Sequence, residues 1–352
     1  MNWTKTPCPT RDSRFKESAL ARQAQLTKPA GSLGTLEDIA VRLANIQQRN
    51  KPSANNIAIT VFAGDHGVAA EGVSAFPQEV TAQMVMNFLQ GGAAISVMAK
   101  QLNANFEVVN TGILTPLPEQ DGLIIQCAGA GTANMVKEAA MNHGQLETAL
   151  QSGRDSIKRA VNNDTQVFIG GEMGIGNTTS ATVLYCALLG LDPAEITGAG
   201  TGLDEKGIAH KTNIIQKILT KHKDCGDDTH EWLRCAGGFE IVALTGAYIY
   251  AAQSGIAILV DGFISSVAAL CAIRINPSIT ANLFFSHVSA EQGHRTILEN
   301  IGQKPLLDLG MHLGEGSGAA VAASLLQSAC TLHNDMATFA EAAVATREAS
   351  RD

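Results

Sequence analysis

The segment Gly170-Gly171-Glu172-Met173-Gly174-Ile175-Gly176-Asn177-Thr178-Thr179-Ser180 joins an apolar run to an alanine-rich stretch starting near Ala181, the layout of a strand, a turn and a helix. Glycines let main chain approach an anion closely, and the free amides and dipole of a helix start attract negative charge, so the segment predicts a phosphate cradle. It lacks the GKS or GKT of a Walker loop, and its glycines are out of register for a GxGxxG dinucleotide fingerprint. The competing reading is an ordinary turn in which Thr178, Thr179 or Ser180 caps the helix.

A second glycine loop, Gly198-Ala199-Gly200-Thr201-Gly202, comes shortly before Lys211. That ammonium could neutralise a phosphate or carboxylate held between the two loops; a lone lysine is equally readable as a solvated helix residue. Near the C-terminus, Leu313-Gly314-Glu315-Gly316-Ser317-Gly318-Ala319-Ala320 sets a glutamate among glycines and apolar neighbours. Desolvation there would lift its pKa toward neutrality, as a general base requires, whereas a glutamate that merely complements a helix dipole would need no such shift.

Other candidates carry less. His66 in Gly64-Asp65-His66-Gly67 and His287 in Ser286-His287-Val288-Ser289 lack a further ligand at metal spacing and are expected to bond loop backbone. Asp65 and Asp261 end apolar runs, where they would contact a ribose or cap the following turn. No GxSxG elbow is present and no cysteine has a placed histidine, so nucleophilic hydrolase chemistry has no support.

The elements that must hold these groups are legible as apolar runs at Ile57–Ala63, Phe106–Val109, Val167–Gly170, Ile256–Val260 and Leu283–Phe285, separated by alanine-rich helical stretches. The alternation predicts an α/β fold with a mostly parallel, Rossmann-like sheet flanked by helices, whose ligands sit at the carboxyl ends of strands. Amphipathic helices are expected over Ser13–Leu26 and Gly318–Ala345, so that residues 1–29 and 318–352 form a small helical subdomain beside a large catalytic domain of residues 30–317. Polar stretches at Gln47–Asn55 and Lys221–Glu231 read as exposed connections.

Composition narrows the function further. The chain has 352 residues, with charged residues at only 16% against about 25% in ordinary soluble domains, which predicts surface buried in an oligomer. A net charge of −8 disfavours nucleic acid as a partner, because that binding relies on clustered Lys and Arg. No apolar run approaches the roughly 20 residues of a membrane span, and the N-terminus has no signal-peptide core, so a cytoplasmic protein is expected. Seven scattered cysteines, with no CxxC, predict incidental thiols and no metal site.

Taken in order, Lys28-Pro29-Ala30-Gly31-Ser32-Leu33-Gly34, Gly64-Asp65-His66-Gly67-Val68, Gly170–Thr179, Gly237-Gly238-Phe239-Glu240, Leu259-Val260-Asp261-Gly262-Phe263, Ser286-His287-Val288-Ser289-Ala290-Glu291 and Leu313–Ala320 resemble the nicotinate-nucleotide–dimethylbenzimidazole phosphoribosyltransferase family. The resemblance implies a homodimer that moves phosphoribose from nicotinate mononucleotide to a benzimidazole-type base, in the assembly of the cobalamin nucleotide loop, without metal or cofactor. By motif position it implies that Glu315 is the catalytic base, with Glu172 and Lys211 beside the phosphoribosyl group. The implied substrate contacts are Gly171, Gly174, Ile175, Gly176, Asn177, Thr178, Gly200, Thr201, Gly202, Ser289, Gly316 and Leu313. Between Val73 and Met84 the chain departs from the pattern: members that prefer dimethylbenzimidazole set polar residues against the base, where this chain has Phe76 and Met84. Another benzimidazole, a purine or a phenolic acceptor therefore stays open beside dimethylbenzimidazole. A non-catalytic nucleotide sensor and a nucleotide hydrolase are the rival functions.

Overall fold

The computed structural model describes residues 2–200 and 202–345. Six strands, β1 (Ile57–Gly64), β2 (Asn105–Gly112), β3 (Leu123–Ile125), β4 (Val167–Met173), β5 (Ala257–Val260) and β6 (Leu283–Phe285), form one sheet in the order β3-β2-β1-β4-β5-β6. Every neighbouring pair is parallel. The helices are α1 (Ser13–Gln25), α2 (Thr35–Gln47), α3 (Val80–Leu89), α4 (Ala94–Gln101), α5 (His143–Asn162), α6 (Asn177–Leu189), α7 (Pro193–Ile196), α8 (Glu205–Lys221), α9 (Thr229–Ala236), α10 (Phe239–Gln253), α11 (Phe263–Ile275), α12 (His294–Asn300) and α13 (Ser317–Asp335). The expected Rossmann-like architecture is present. All five anticipated strands are found, and β3 is the addition: three half-exposed edge residues give too short a run to read from sequence.

Residues of β1 alternate between two apolar layers. Ala58 and Phe62 pack toward α5, α6, α10 and α11, while Ile59, Val61 and Ala63 pack toward α2, α3, α4 and α13. Both faces of the sheet are thus covered, which is why its strands are continuously apolar rather than alternating with polar residues. Helix α10 is buried almost all round, from Phe239 to Ala252, and lies directly on α5, whose start is fixed by a reciprocal capping box between Asn142 and Gln145. Where the two helices cross, a Cβ on Gly153 would come within 1.8 Å of the Ala243 carbonyl oxygen. Gly153→Ala is therefore expected to destabilise the fold by about 3 kcal/mol, the upper range for overpacking, read as a lowered denaturant midpoint with an unchanged slope.

The two chain ends meet. Helix α2 touches both α1 and α13. The Arg22 guanidinium donates to the carbonyls of His333, Asn334 and Met336, and the Thr27 amide to that of Ala337. Helix α13 also packs its alanines, Ala319 to Ala323, against Ile59, Val61 and Phe284 of the sheet. It stops at Asp335, short of the expected Ala345, where Met336 turns to an extended conformation. Residues 346–352 of the expected terminal unit lie outside the described residues, as does Thr201. The Lys221–Glu231 stretch is not simply an exposed connection: it holds a 3-10 turn and the start of α9, and His222 is buried against the Met135 carbonyl. Among the described residues, no helix is long and apolar enough to cross a membrane.

Candidate active site

The carboxyl ends of β4, β5 and β6 open onto a cavity of about 390 Å³. Strand β4 delivers Glu172 and the glycine turn to it. A side chain at Gly171 would collide with the Glu315 carbonyl oxygen at 2.0 Å, so this glycine is what lets the Glu315 loop lie across the strand. The following helix, α6, starts at Asn177 rather than near Ala181. Its N-cap is Gly176, at φ 98°, with no side-chain cap bond. That removes the capping role considered for Thr178, Thr179 and Ser180. In the turn, the Ile175 amide donates to Thr81 Oγ1 (3.2 Å) and those of Asn177 and Thr179 donate to Gly174 O and Gly176 O (both 3.0 Å). Only some amides of the expected cradle are thus open to a ligand; those of Gly176 and Thr178 have no intramolecular partner among the described residues.

Lys211 is not solvated. It projects from α8, is 1% exposed, donates to Thr178 Oγ1 at 2.8 Å and comes within 3.2 Å of the Cβ position at Gly200. The two glycine loops and the lysine, separated in sequence, therefore meet. Burial lowers the Lys211 pKa to about 8, although the nearby Glu291 carboxylate opposes the shift. Gly174, Ile175, Asn177, Thr178, Gly200 and Ser289 line the cavity; Gly202 is exposed and does not. The Ser289 amide is committed to His294 Nδ1 at 2.8 Å, and its hydroxyl accepts the Glu291 amide at 3.3 Å.

Glu315 sits in a strained stretch of backbone. Its φ of 66° falls between left-handed Gly314 (84°) and Gly316 (92°), a conformation unfavourable for any residue with a Cβ. The side chain is buried, Oε2 has no partner, and desolvation lifts the pKa to about 7 against the opposing Ile95 amide. Glu172 lies beside it and is pushed to about 8 by burial and by the Glu240, Asp261 and Glu315 carboxylates. It accepts a short hydrogen bond from Asn177 Nδ2. At neutral pH, then, Glu172 is mainly a protonated carboxyl and Glu315 is poised between its two forms.

Asp261 neither caps its own turn nor stands free for a ribose alone. Its two oxygens accept from the amides of Gly316 (3.1 Å) and Ala319 (2.9 Å), anchoring the Glu315 loop and the start of α13. His287 Nε2 lies 3.4 Å from Asp261. Burial alone would lower the His287 pKa, but the Asp261 carboxylate raises it overall. His66 Nε2 lies 2.6 Å from the Glu240 carboxylate, both fully buried. Both histidines thus face carboxylates, not only loop backbone as expected. Their partners are distant in sequence, which hid the pairing. The other end of the cavity is apolar, lined by Val80, Met84, Met173, Phe263 and Ile264 with Phe76 and Leu313 half-exposed at the rim. Glu291 and His312 also line it. His312 had no sequence signal, whereas Glu291 and Phe263 fall in the ordered motifs. Among the described residues, no three His, Cys, Asp or Glu side chains are grouped to hold a metal.

A buried lysine beside a glycine-rich helix start, two buried carboxyls and an adjoining apolar lining, all at the carboxyl edge of a parallel sheet, are the parts expected of a group-transferring α/β enzyme that handles a phosphorylated substrate. A phosphoribosyltransferase family model matches residues 8–344. The chain belongs to the nicotinate-nucleotide–dimethylbenzimidazole phosphoribosyltransferase family. It is 56% identical to the enzyme of that name from Pseudomonas fluorescens strain Pf-5 over 348 residues, covering 99% of each chain. It is likewise 56% identical to that of strain SBW25 over 347 residues. The crystal structure of the Thermus thermophilus protein of that name superposes with a TM-score of 0.90 at 42% identity, over 96% of this chain and 100% of that one.

Proposed function

We infer that the protein transfers 5-phosphoribose from nicotinate mononucleotide to 5,6-dimethylbenzimidazole or a close relative, giving α-ribazole 5′-phosphate and nicotinate in the nucleotide-loop assembly of cobalamin biosynthesis. The observation that carries the reading is that Glu315, a buried carboxyl whose Oε2 has no partner, lines the same cavity as the Gly174–Thr178 turn. The nucleotide's phosphate lies against the turn, with Lys211 supplying the cation and Gly200 the second wall.

Nicotinate leaves as its C1′–N bond breaks, taking the bonding pair and so losing its pyridinium charge; it needs no proton from an acid. C1′ becomes oxocarbenium-like, as in glycoside cleavage. An acceptor ring nitrogen attacks the opposite face, and Glu315 takes the proton from the other ring nitrogen as positive charge builds there. Glu172, protonated at neutral pH, donates a hydrogen bond beside the ribose without placing a second negative charge next to Glu315. Neither step calls for a metal or cofactor. Gly171 and Gly316 shape the loop crossing, and Gly174, Ile175, Gly176, Asn177, Thr178, Gly200 and Ser289 serve the phosphoribosyl side, whereas Gly202, exposed away from the cavity, is given no role. Phe76, Met84 and Leu313 serve the base.

Incubating the protein with nicotinate mononucleotide and a panel of benzimidazoles, purines and phenols, with mass spectrometry of products, tests the reading. A ribotide of dimethylbenzimidazole with equimolar nicotinate supports it. Nicotinate without ribotide would indicate hydrolysis, and no turnover would indicate a sensor. Phe76→Ser should raise the KM for dimethylbenzimidazole about fivefold, because a half-exposed aromatic ring no longer covers the apolar base, with the nucleotide KM unchanged. The reading extends to a homodimer acting in the cytoplasm, with residues 1–29 and 318–352 as its small subdomain. Exposed Phe76, Leu309 and Leu313 support association, and sedimentation at micromolar concentration tests it.

A further inference from the structure

Two walls of the cavity come from separate parts of the chain: the phosphate turn between β4 and α6, and the Val73–Met84 segment leading into α3. Val80 and Met84, one helical turn apart, face the cavity. Thr81, on an adjoining face of the same helix, is fully buried. Its Oγ1 accepts the Ile175 amide of the phosphate turn. Its hydroxyl also lies near the Asp65 carboxylate, whose Oδ1 has no hydrogen-bond partner among the described residues and whose Oδ2 is held by the Leu114 amide. A second tether runs alongside: Gln78 Nε2 donates to the His66 carbonyl at 3.1 Å. His66 itself packs under the turn, within 3.2 Å of the Cβ position at Gly174 and 3.3 Å of that at Gly176.

We propose that Thr81 is a positioning residue, tying the acceptor-lining helix to the phosphate turn and so setting the alignment of base and phosphoribose. The inference rests on the phosphoribosyl-transfer reading above. The physical logic is that Ile175 is a turn residue with no other amide partner, and an orphaned buried donor is costly. With the Thr81 hydroxyl in place, the turn and α3 move as one body. Without it, the amide must seek another acceptor and the turn shifts relative to α3. Near-attack geometry tolerates little of this, since reacting atoms must lie within about 3–3.5 Å. Thr81 touches neither substrate: it does not line the cavity.

The test compares Thr81→Val, which keeps shape and removes the hydroxyl, with Thr81→Ser, which keeps the hydroxyl. Initial rates are measured over a matrix of nicotinate mononucleotide and dimethylbenzimidazole, with nicotinate and ribotide quantified separately. Thr81→Val should lower kcat/KM for the nucleotide about tenfold, the effect of one buried unpaired amide. It should raise the nucleotide KM and release nicotinate in excess of ribotide, while Thr81→Ser stays within about twofold of the parent. Unchanged KM values and product ratio in Thr81→Val, with only the active fraction reduced, would show a purely structural role and overturn the proposal. Equal impairment of Thr81→Ser would do the same. If Thr81→Val does not fold, Gln78→Leu at the half-buried second tether replaces it. A nucleotide KM about threefold higher supports the tether, and an unaltered one rejects it. Failure of the underlying reading is separately visible, as absence of ribotide from the unmodified protein.

Discussion

Glu315→Gln should lower kcat by two orders of magnitude or more, the usual contribution of a positioned general base, while nicotinate mononucleotide still binds with near-native affinity. The side chain is desolvated and its pKa lies at about 7, so parent turnover should fall as pH drops below 7 and level off above it. The residual rate of the variant should lack that dependence. The same substitution should also make the protein more stable in alkali. A carboxyl whose folded pKa exceeds its unfolded value binds its proton more tightly when folded, so stability is lost as pH rises from about 4.5 to about 7. Allowing for partial solvent screening, the native state at pH 8 carries a penalty of the order of 2 kcal/mol, which glutamine removes. At pH 4 the two proteins should melt together. A melting series at both pH values checks this, and a variant less stable at pH 8 would contradict the burial assigned to Glu315.

Lys211→Met should weaken nicotinate mononucleotide by roughly 10²-fold, the scale expected when one member of a buried charge pair is removed, with a smaller change in kcat. The buried ammonium bonds only Thr178 among the described residues, so its charge is available to the phosphate. Its pKa of about 8 makes nucleotide affinity of the free enzyme fall above that pH, because the neutral amine no longer attracts the anion. Titration calorimetry at pH 7 and pH 9 separates the cases: the parent should lose affinity between them and the variant should not. Stability moves the other way. A lysine whose folded pKa is depressed destabilises the empty protein at neutral pH and recovers as pH rises past 8, so Lys211→Met should raise the melting temperature at pH 7. Residues that cost stability in the resting protein are those expected to meet charge on the ligand.

The parallel sheet could be read directly because its strands are buried on both faces, so Ile57–Ala63 and Ile256–Val260 appear as continuous apolar runs with no competing helical period. The three-residue edge strand and the end of α13 could not, since a short half-exposed run and a fraying terminus leave little pattern. Glycine spacing pointed to the Gly174–Gly176 turn, yet the helix start four residues earlier than expected follows from the φ of Gly176, which residue type permits but does not dictate. The Ile175 amide belongs to Thr81, 94 residues away, and no local rule would reveal that.

Residue types and their order, by themselves, determined the fold class, the place of the glycine turn, the candidate base and the family, because each depends on local periodicity or on motifs contiguous in the chain. Tertiary structure alone decided that Lys211 is buried between two loops, that Asp261 anchors the Glu315 loop, and that two buried carboxyls line one cavity. Those facts rest on desolvation and on contacts between distant segments, and a side chain's charge state follows from the dielectric and dipoles that folding gathers around it.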